Sequence, residues 1–258
     1  MRDSEGGDGF DSRVFGLLQQ AEEKHFWFIV RREIILDALK RHVSSLSDKT
    51  LLEIGCGNGN ILRYLRSRTR LSLAGGDFFL EGLEFCRLQT DAPLYQIDAT
   101  RLPFRNSFNI VALFDVLEHI EDDERVLEEC HKALRSSGRL VLTVPTCPAL
   151  WSSFDVFAHH KRRYTGRALR KKLMAAGFKV ERASHFMSAL FPLVYSLRLL
   201  QDRLGRPPAD TSDELPSDLR VVPVLNSLGL GMLRLERLLM RYMDLPFGTS
   251  LLVMARKV

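Results

Sequence analysis

Long hydrophobic runs are missing from this sequence. No apolar run reaches 18 residues, and the longest, Phe186 to Leu197, is broken by Pro192 and two serines, which argues against a membrane-spanning helix. Cysteine is sparse: Cys56, Cys86, Cys130 and Cys147 are spread out with no C-x-x-C pair, the pattern of reduced, buried thiols in a cytoplasmic protein. Residues 1–12 are polar and Gly/Asp-rich, so no signal peptide is visible and this start is expected to fray. Charge of one sign is not in large excess. The 37 basic and 32 acidic residues leave +5, too mild to imply nucleic acid binding. There is no internal repeat, and 258 residues suit one large domain, or one domain with a long insertion.

What is present is concentrated in Leu51-Leu52-Glu53-Ile54-Gly55-Cys56-Gly57-Asn58-Gly59. Leu51, Leu52 and Ile54 predict a short buried strand, and Asn60 to Leu65 opens a helical pattern. Strand, glycine turn and helix together make a nucleotide-cofactor site. Glycine lets a ligand lie against bare main chain, and a helix start offers unpaired N–H groups. The dinucleotide fingerprint G-x-G-x-x-G is not met: the spacing is G-x-G-x-G, and position 60 is Asn. Glu53, inside the strand, can orient the turn or meet a cationic group on a ligand.

The E-x-G-x-G-x-G stretch resembles the first motif of class I S-adenosylmethionine-dependent methyltransferases, and the resemblance runs from about residue 50 to about residue 185. Leu71 to Asp77 looks like the second strand, with Asp77 22 residues after Gly55. Leu94 to Ala99 looks like the third, ending in Asp98, and Arg101-Leu102-Pro103-Phe104 like the loop before the fourth. Asn109 to Asp115 looks like strand four, and the following Val116-Leu117-Glu118-His119-Ile120 is similar to the branch that includes the quinone-biosynthesis (type 11) methyltransferases. Ser137 to Pro145 looks like strand five.

The resemblance implies an α/β fold with a doubly wound, seven-stranded Rossmann-like sheet in the order 3-2-1-4-5-7-6, the last strand antiparallel. A tail and cap helices would occupy 1–47 and the cofactor-binding domain 48–258. It implies S-adenosyl-L-methionine as cofactor and S-adenosyl-L-homocysteine as product. Glu53, Gly55, Cys56, Gly57 and Gly59 would hold the methionine end. Asp77 would grip the ribose and Phe78 pack on adenine. Asp98 with Ala99 would read the adenine edge, and Asp115 completes the cofactor set.

Around that core, residues 13–24 and 28–46 predict two helices joined by the aromatic His25-Phe26-Trp27-Phe28. Val126, Leu127, Cys130 and Leu134 recur at helical spacing behind Asp122, Asp123 and Glu124. A helix over Thr165 to Ala176 ends at Gly177, strand six spans 178–182, and Ser250 to Lys257 forms the last strand. Residues 187–248 are then a helical insertion between strands six and seven. It has an apolar helix at about 187–204, a polar linker from Gly205 to Asp218, and a helix at about 222–243. Val224, Leu225, Leu228, Met232, Leu235, Leu239 and Met243 mark the apolar stripe of that last helix.

Three places offer a general base. His119 follows strand four, His159 and His160 follow strand five, and His25 lies in the aromatic joint. Lys161, Arg162, Arg163 and Tyr164 extend the second of these into a loop able to bind an anionic substrate. Phe26 and Trp27 are expected to line the acceptor pocket with Arg162, Arg163 and Tyr164. Asp115, Glu118 and His119 form D-x-x-E-H, similar to the E-x-x-E-H stretch of ubiquinone O-methyltransferases. Many relatives with this stretch need no metal, and none is assigned. The expected acceptor is a small or lipid-linked molecule and not a nucleic acid, since neither an N-P-P-Y-type nor a Pro-Cys motif follows strand four. The insertion could form a lid, pack on the domain or on a second subunit of a homodimer, or make a peripheral contact through 187–243 with the inner face of the membrane; Arg198, Arg203, Arg234 and Arg237 would suit anionic headgroups. The competing classes are an NAD(P)-binding oxidoreductase and an inactive cofactor-binding protein of the same fold.

Overall fold

The computed structural model describes residues 19–203 and 221–258. The polar linker expected at 205–218, and residues 13–18 of the first expected helix, lie outside these; residues 19–24 are helical. The helix α1 then runs Phe26–His42, not 28–46. His25 caps it, its Nδ1 accepting from the Trp27 N–H at 3.3 Å, so the aromatic joint is the first turn of a helix. Val43 ends it in extended backbone.

Alternating strands and helices follow: β1 Thr50–Ile54, α2 Asn60–Arg66, β2 Ser72–Asp77, α3 Leu80–Arg87, β3 Leu94–Gln96, β4 Phe108–Phe114, α4 Asp123–Ala133 and β5 Leu134–Pro145. After a short α5, Ser153–Phe157, come α6 Gly166–Ala175, β6 Phe178–Phe186, α7 Phe191–Arg203, α8 Pro223–Leu239 and β7 Ser250–Lys257. One seven-stranded sheet has the order β3-β2-β1-β4-β5-β7-β6. The first five strands pair in parallel, and β7 runs antiparallel between β5 and β6. The inner strands are buried nearly end to end, as both faces of such a sheet carry helices. One apolar layer joins α1 and α2 to one face, and a second joins α4 and α6 to the other.

Local chemistry sets the helix ends. Asp122 accepts from the Arg125 N–H at the start of α4, and Thr165 accepts from Ala168 at the start of α6, both N-cap bonds that satisfy otherwise unpaired donors. Gly177 follows α6 with φ +85°. Several elements differ from the sequence expectation. β3 stops at Gln96, because Asp98 turns to accept from the Thr100 N–H and hydroxyl. Leu134 opens β5 instead of ending α4, and β6 continues to Phe186 along β7. The helix expected from 187 begins at Phe191, since Met187 is left-handed (φ 60°) and the Ser188 hydroxyl is bound to the Phe247 carbonyl.

The orientation of α8, left open by the sequence, is set by polar contacts. Its inward face is Asn226, Gly229, Leu230, Leu233, Glu236, Arg237 and Met240, a mixed polar and apolar set at helical spacing. That face meets the acids of α1. Arg237 forks onto both Asp37 oxygens at 2.8 and 2.9 Å and reaches Glu33 at 2.6 Å, while Arg234 donates to Glu33 at 2.8 Å. Asn226 accepts from the Phe26 N–H and donates to the Lys24 carbonyl. Arg234 and Arg237 are therefore committed to α1 and are not a free headgroup patch, and the side chains of Arg198 and Arg203 lie outside the description. The expected apolar stripe points outward.

Candidate active site

The carboxyl ends of the parallel strands converge on one cavity of about 930 Å³, where open α/β sheets bind ligands. Its lining brings together Glu53, Gly55, Cys56, Gly57, Asp77, Phe78, Asp98, Ala99 and Asp115 from the expected cofactor set. Phe26, Trp27, His119, His159, His160 and Arg163 also line it.

The turn between β1 and α2 is shaped by two glycines with different tasks. Gly59 caps α2 with φ +78°, and a Cβ there would lie 2.6 Å from the Cys86 Sγ; it does not line the cavity, so its need for glycine is one of packing. Gly57 has φ +47°, yet a Cβ on it would meet nothing within 4 Å. The space over Gly57 is open on the cavity side, which is what a ligand lying against main chain requires. Gly59→Ala is expected to destabilise the fold by about 3 kcal/mol, left-handed strain plus overlap. Gly57→Ala should cost only roughly 1–2 kcal/mol while weakening cofactor binding at least tenfold. Thermal melts beside titration calorimetry separate the two effects, and equal losses of affinity and stability at both positions would contradict this division.

Asp77 ends β2 beneath the same turn. Its Oδ2 accepts from the Gly57 N–H at 2.8 Å and its Oδ1 from the Phe79 N–H at 3.0 Å. Burial raises its carboxyl, and these backbone donors pull against that rise. The carboxylate retains free lone pairs toward the cavity. Phe78 stands beside it, 62% exposed. Glu53 is buried, and its Oε2 has no hydrogen-bond partner among the described residues. Burial, with the Cys86 thiol nearby, holds its carboxyl well above the usual range. The Cys56 thiol is turned into the core and pushed up by its bond to Cys86 and by burial, so Cys56 offers the site its backbone.

Arg31 escaped the sequence reading. It lies one turn into α1 among apolar neighbours, and nothing in helical spacing marks it as reaching a site 84 residues away in sequence. Its guanidinium donates to Asp115 Oδ2 and sits 4.9 Å over the Trp27 ring. Asp115 is held left-handed, φ 56°, between Arg31 and the Thr143 hydroxyl at 3.1 Å.

The opposite wall carries the proton-handling groups. His160 Nδ1 lies 2.8 Å from Asp155 Oδ1, and its Nε2 faces Glu118 Oε1 at 3.9 Å. Burial alone would raise the Asp155 carboxyl, but hydrogen bonds from His160 and Arg163 outweigh it and hold it at about 2. Glu118 is fully buried with no hydrogen-bond partner for either oxygen among the described residues. Burial and the neighbouring Asp115 keep it well above the usual carboxyl range. The His119 ring packs edge-on to His160 at 4.7 Å. Burial, then His160, lowers its pKa to about 4. Ligand atoms of Glu118, His119 and His160 lie within 4.8 Å of one another, close enough to share a divalent cation.

The basic loop corrects two substrate-binding expectations. Arg162 turns away from the cavity to the Glu121 carbonyl and Asp123. Tyr164 is 3% exposed, its hydroxyl 2.6 Å from Asp123. Asp123, which starts α4, draws both into the structure. Arg163 lines the cavity but is held bidentately by Asp155 at 2.8 and 2.9 Å. Asp155 itself was missed in sequence, because its partners come together only when α5 forms.

The low His119 pKa has a consequence for stability. The unfolded ring, near 6.5, takes up its proton before the folded ring does at about 4. Between those values the unfolded state binds more protons, so stability falls as the solution is acidified. The loss from this residue approaches about 3 kcal/mol near pH 4. Melting temperatures measured from pH 7 to 4.5 should fall less steeply for His119→Gln than for the unaltered protein. Parallel curves would show that the ring is not held neutral.

Glycine turn, strand-end acids and sheet order define a class, and residues 52–142 match a family model described as a methyltransferase domain. Over those residues the chain resembles the type 11 branch of the class I S-adenosylmethionine-dependent methyltransferases, and its sheet order is theirs. Among curated proteins it is similar to the ubiquinone biosynthesis O-methyltransferase of Idiomarina loihiensis, 27% identical over 41% of this chain and 46% of that enzyme. The chain spans about half the length of the curated relatives it matches. Two solved structures share the fold. A Haloferax volcanii methyltransferase in complex with the Trm112 activator has TM-score 0.62 and 19% identity over 95% of this chain and 94% of that one. Phosphoethanolamine N-methyltransferase 2 of Haemonchus contortus, bound to S-adenosyl-L-methionine, has TM-score 0.57 and 17% identity over 86% and 51%.

Proposed function

We propose that this chain transfers a methyl group from S-adenosylmethionine to a small-molecule acceptor whose hydroxyl or amine loses a proton to His160. The observation that carries the reading is one cavity joining the open face of Gly57 and the Asp77 carboxylate to the His160–Asp155 pair. The residues fit the cofactor. Asp77 would accept from two ribose hydroxyls. Phe78 would lie on the adenine, and Asp98 with the Ala99 N–H would meet its edge. Arg31 would hold the carboxylate of the methionine end and Glu53 its ammonium, which would give the buried Glu53 oxygen a partner. When bound, the cofactor supplies a methyl already activated by the sulfonium charge.

The protein's remaining tasks are to align the acceptor and to take its proton. With Nδ1–H donated to the Asp155 carboxylate, His160 presents an unprotonated Nε2 to the cavity. Asp155 fixes that tautomer and stabilises the imidazolium once the proton has moved. His119, near 4, is too weak a base for the step, and His159 is exposed at the rim. Trp27, Phe26 and Leu150 wall the acceptor side and exclude water. Titration calorimetry with S-adenosylmethionine, followed by an S-adenosylhomocysteine-release screen over phenolic, carboxylic and amine acceptors, tests the reading. Absence of binding would overturn it; tight binding without turnover on any acceptor would favour an inactive binding protein.

A further inference from the structure

Helix α8 carries apolar side chains on two faces. Leu230, Leu233 and Met240 face the domain beside its polar and small side chains, but a second apolar row faces out: Leu225 is 63% exposed, Leu228 66% and Leu235 61%. A surface helix ordinarily buries its apolar stripe. Here the ion pairs of Arg234 and Arg237 with Glu33 and Asp37 fix the orientation that leaves this row exposed. Helix α7 adds Leu193 and Leu197, 61% and 50% exposed. Leu197 also lines the cavity, beside Phe26 and Val194. The Glu236 carboxylate of α8 accepts from the Ala189 N–H just before α7, and Phe191 at the start of α7 packs on Phe247 in the loop before β7. Through Leu197 the exposed apolar face of α7 reaches the cavity mouth. An apolar area of this extent on a soluble domain marks a contact surface.

The charge around the band selects the occupant. From Val221 to Met243 the only acid is Glu236, and it is buried. Arg241, 52% exposed and 3.6 Å from Asp37, and the 87% exposed Tyr242 stand at the end of the stripe, while Arg234 and Arg237 are spent on α1. A second copy would bring the same arginines and no exposed acid in this segment to meet them. An apolar stripe edged by arginine and tyrosine matches the interface of an anionic bilayer, where apolar side chains enter the acyl boundary and cations meet phosphates. No described helix is long and apolar enough to cross a membrane, consistent with a helix that lies in the interface plane.

We propose that the outward faces of α7 and α8 seat this domain on an anionic lipid surface, with the cavity mouth turned toward the headgroups. The test uses the full chain and vesicles, and is read without turnover, so it stands apart from the methyl-transfer reading. Co-sedimentation with vesicles of equal phosphatidylglycerol and phosphatidylcholine should be at least tenfold stronger than with phosphatidylcholine alone. It should weaken with salt. A Leu228→Ser/Leu235→Ser variant should lose at least tenfold of that binding, while its thermal midpoint and calorimetric S-adenosylmethionine affinity stay unchanged. Failure of the unaltered protein to sediment with anionic vesicles overturns the proposal. So does full vesicle binding by the double variant. A concentration-dependent dimer in analytical ultracentrifugation that the same two substitutions dissolve would assign the band to a second copy instead.

Discussion

Asp77→Ala is expected to lower S-adenosylmethionine affinity by more than a hundredfold while the protein still folds. Two losses combine. The ribose hydroxyls lose a charged acceptor, a bond worth about 1.5–3 kcal/mol. The Gly57 and Phe79 N–H groups also lose the carboxylate that sets the turn, so the main chain over which the methionine end would lie is no longer held in place. Both amides lie near the cavity and can turn to water, which limits the damage to stability to about 1–2 kcal/mol. Titration calorimetry reads the first effect and a thermal melt the second. Asp77→Asn separates the contributions further: it retains one acceptor oxygen for the turn but carries no charge, and should bind more weakly than the parent and more tightly than Asp77→Ala. Parent-like affinity in Asp77→Ala would remove the ribose assignment.

The second large effect concerns turnover. On an acceptor that gives measurable S-adenosylhomocysteine release, His160→Ala should reduce kcat about 10²–10³-fold, the usual contribution of a positioned base. Cofactor affinity should stay within about twofold. Asp155→Asn acts through His160 and also loosens the Arg163 fork and the Ser152 cap, so a fall in rate alone does not prove positioning. The discriminating readout is rescue by a carboxylate. Asp155→Glu restores an acceptor for the His160 Nδ1–H and should recover part of kcat, whereas Asp155→Asn should not, with cofactor affinity and thermal midpoint equal in the two variants. Equal rates in both would leave Asp155 a structural residue. His160→Ala at parental kcat would eliminate this base, and the proton would have to leave by another route.

Much of the scaffold was legible in the chain because its signals are local. β7 was readable to the residue, since every position from Ser250 to Ala255 is buried and an apolar run of that length between turns suits a covered strand. The glycine turn and the acids at 77 and 98 depend on residues within a few positions of each other. The site's other half depends on partners far apart in sequence. Arg31 meets Asp115 across 84 positions, and Arg237 meets Asp37 across 200. The helical period of α8 marked Leu225, Leu228 and Leu235 as part of an apolar stripe but left open what that stripe meets. The choice was made by Glu33 and Asp37 on a distant helix, which no local pattern discloses. Arg162 and Tyr164 were misplaced for the same reason: Asp123, about 40 positions upstream, claims them.

The place of β7 constrains the order in which a growing polypeptide can finish. β6 is hydrogen-bonded within the sheet to β7 and not to β5, so Phe178–Phe186 leaves the ribosome with no neighbour to join. The edge of β5 stays bare until Ser250–Lys257 has been made. At ordinary elongation rates of about 5–20 residues per second, that wait is on the order of ten seconds. Throughout it, a long apolar edge is open to other nascent strands, making the interval before β7 arrives the moment at which this protein is most prone to misassembly and most dependent on chaperones.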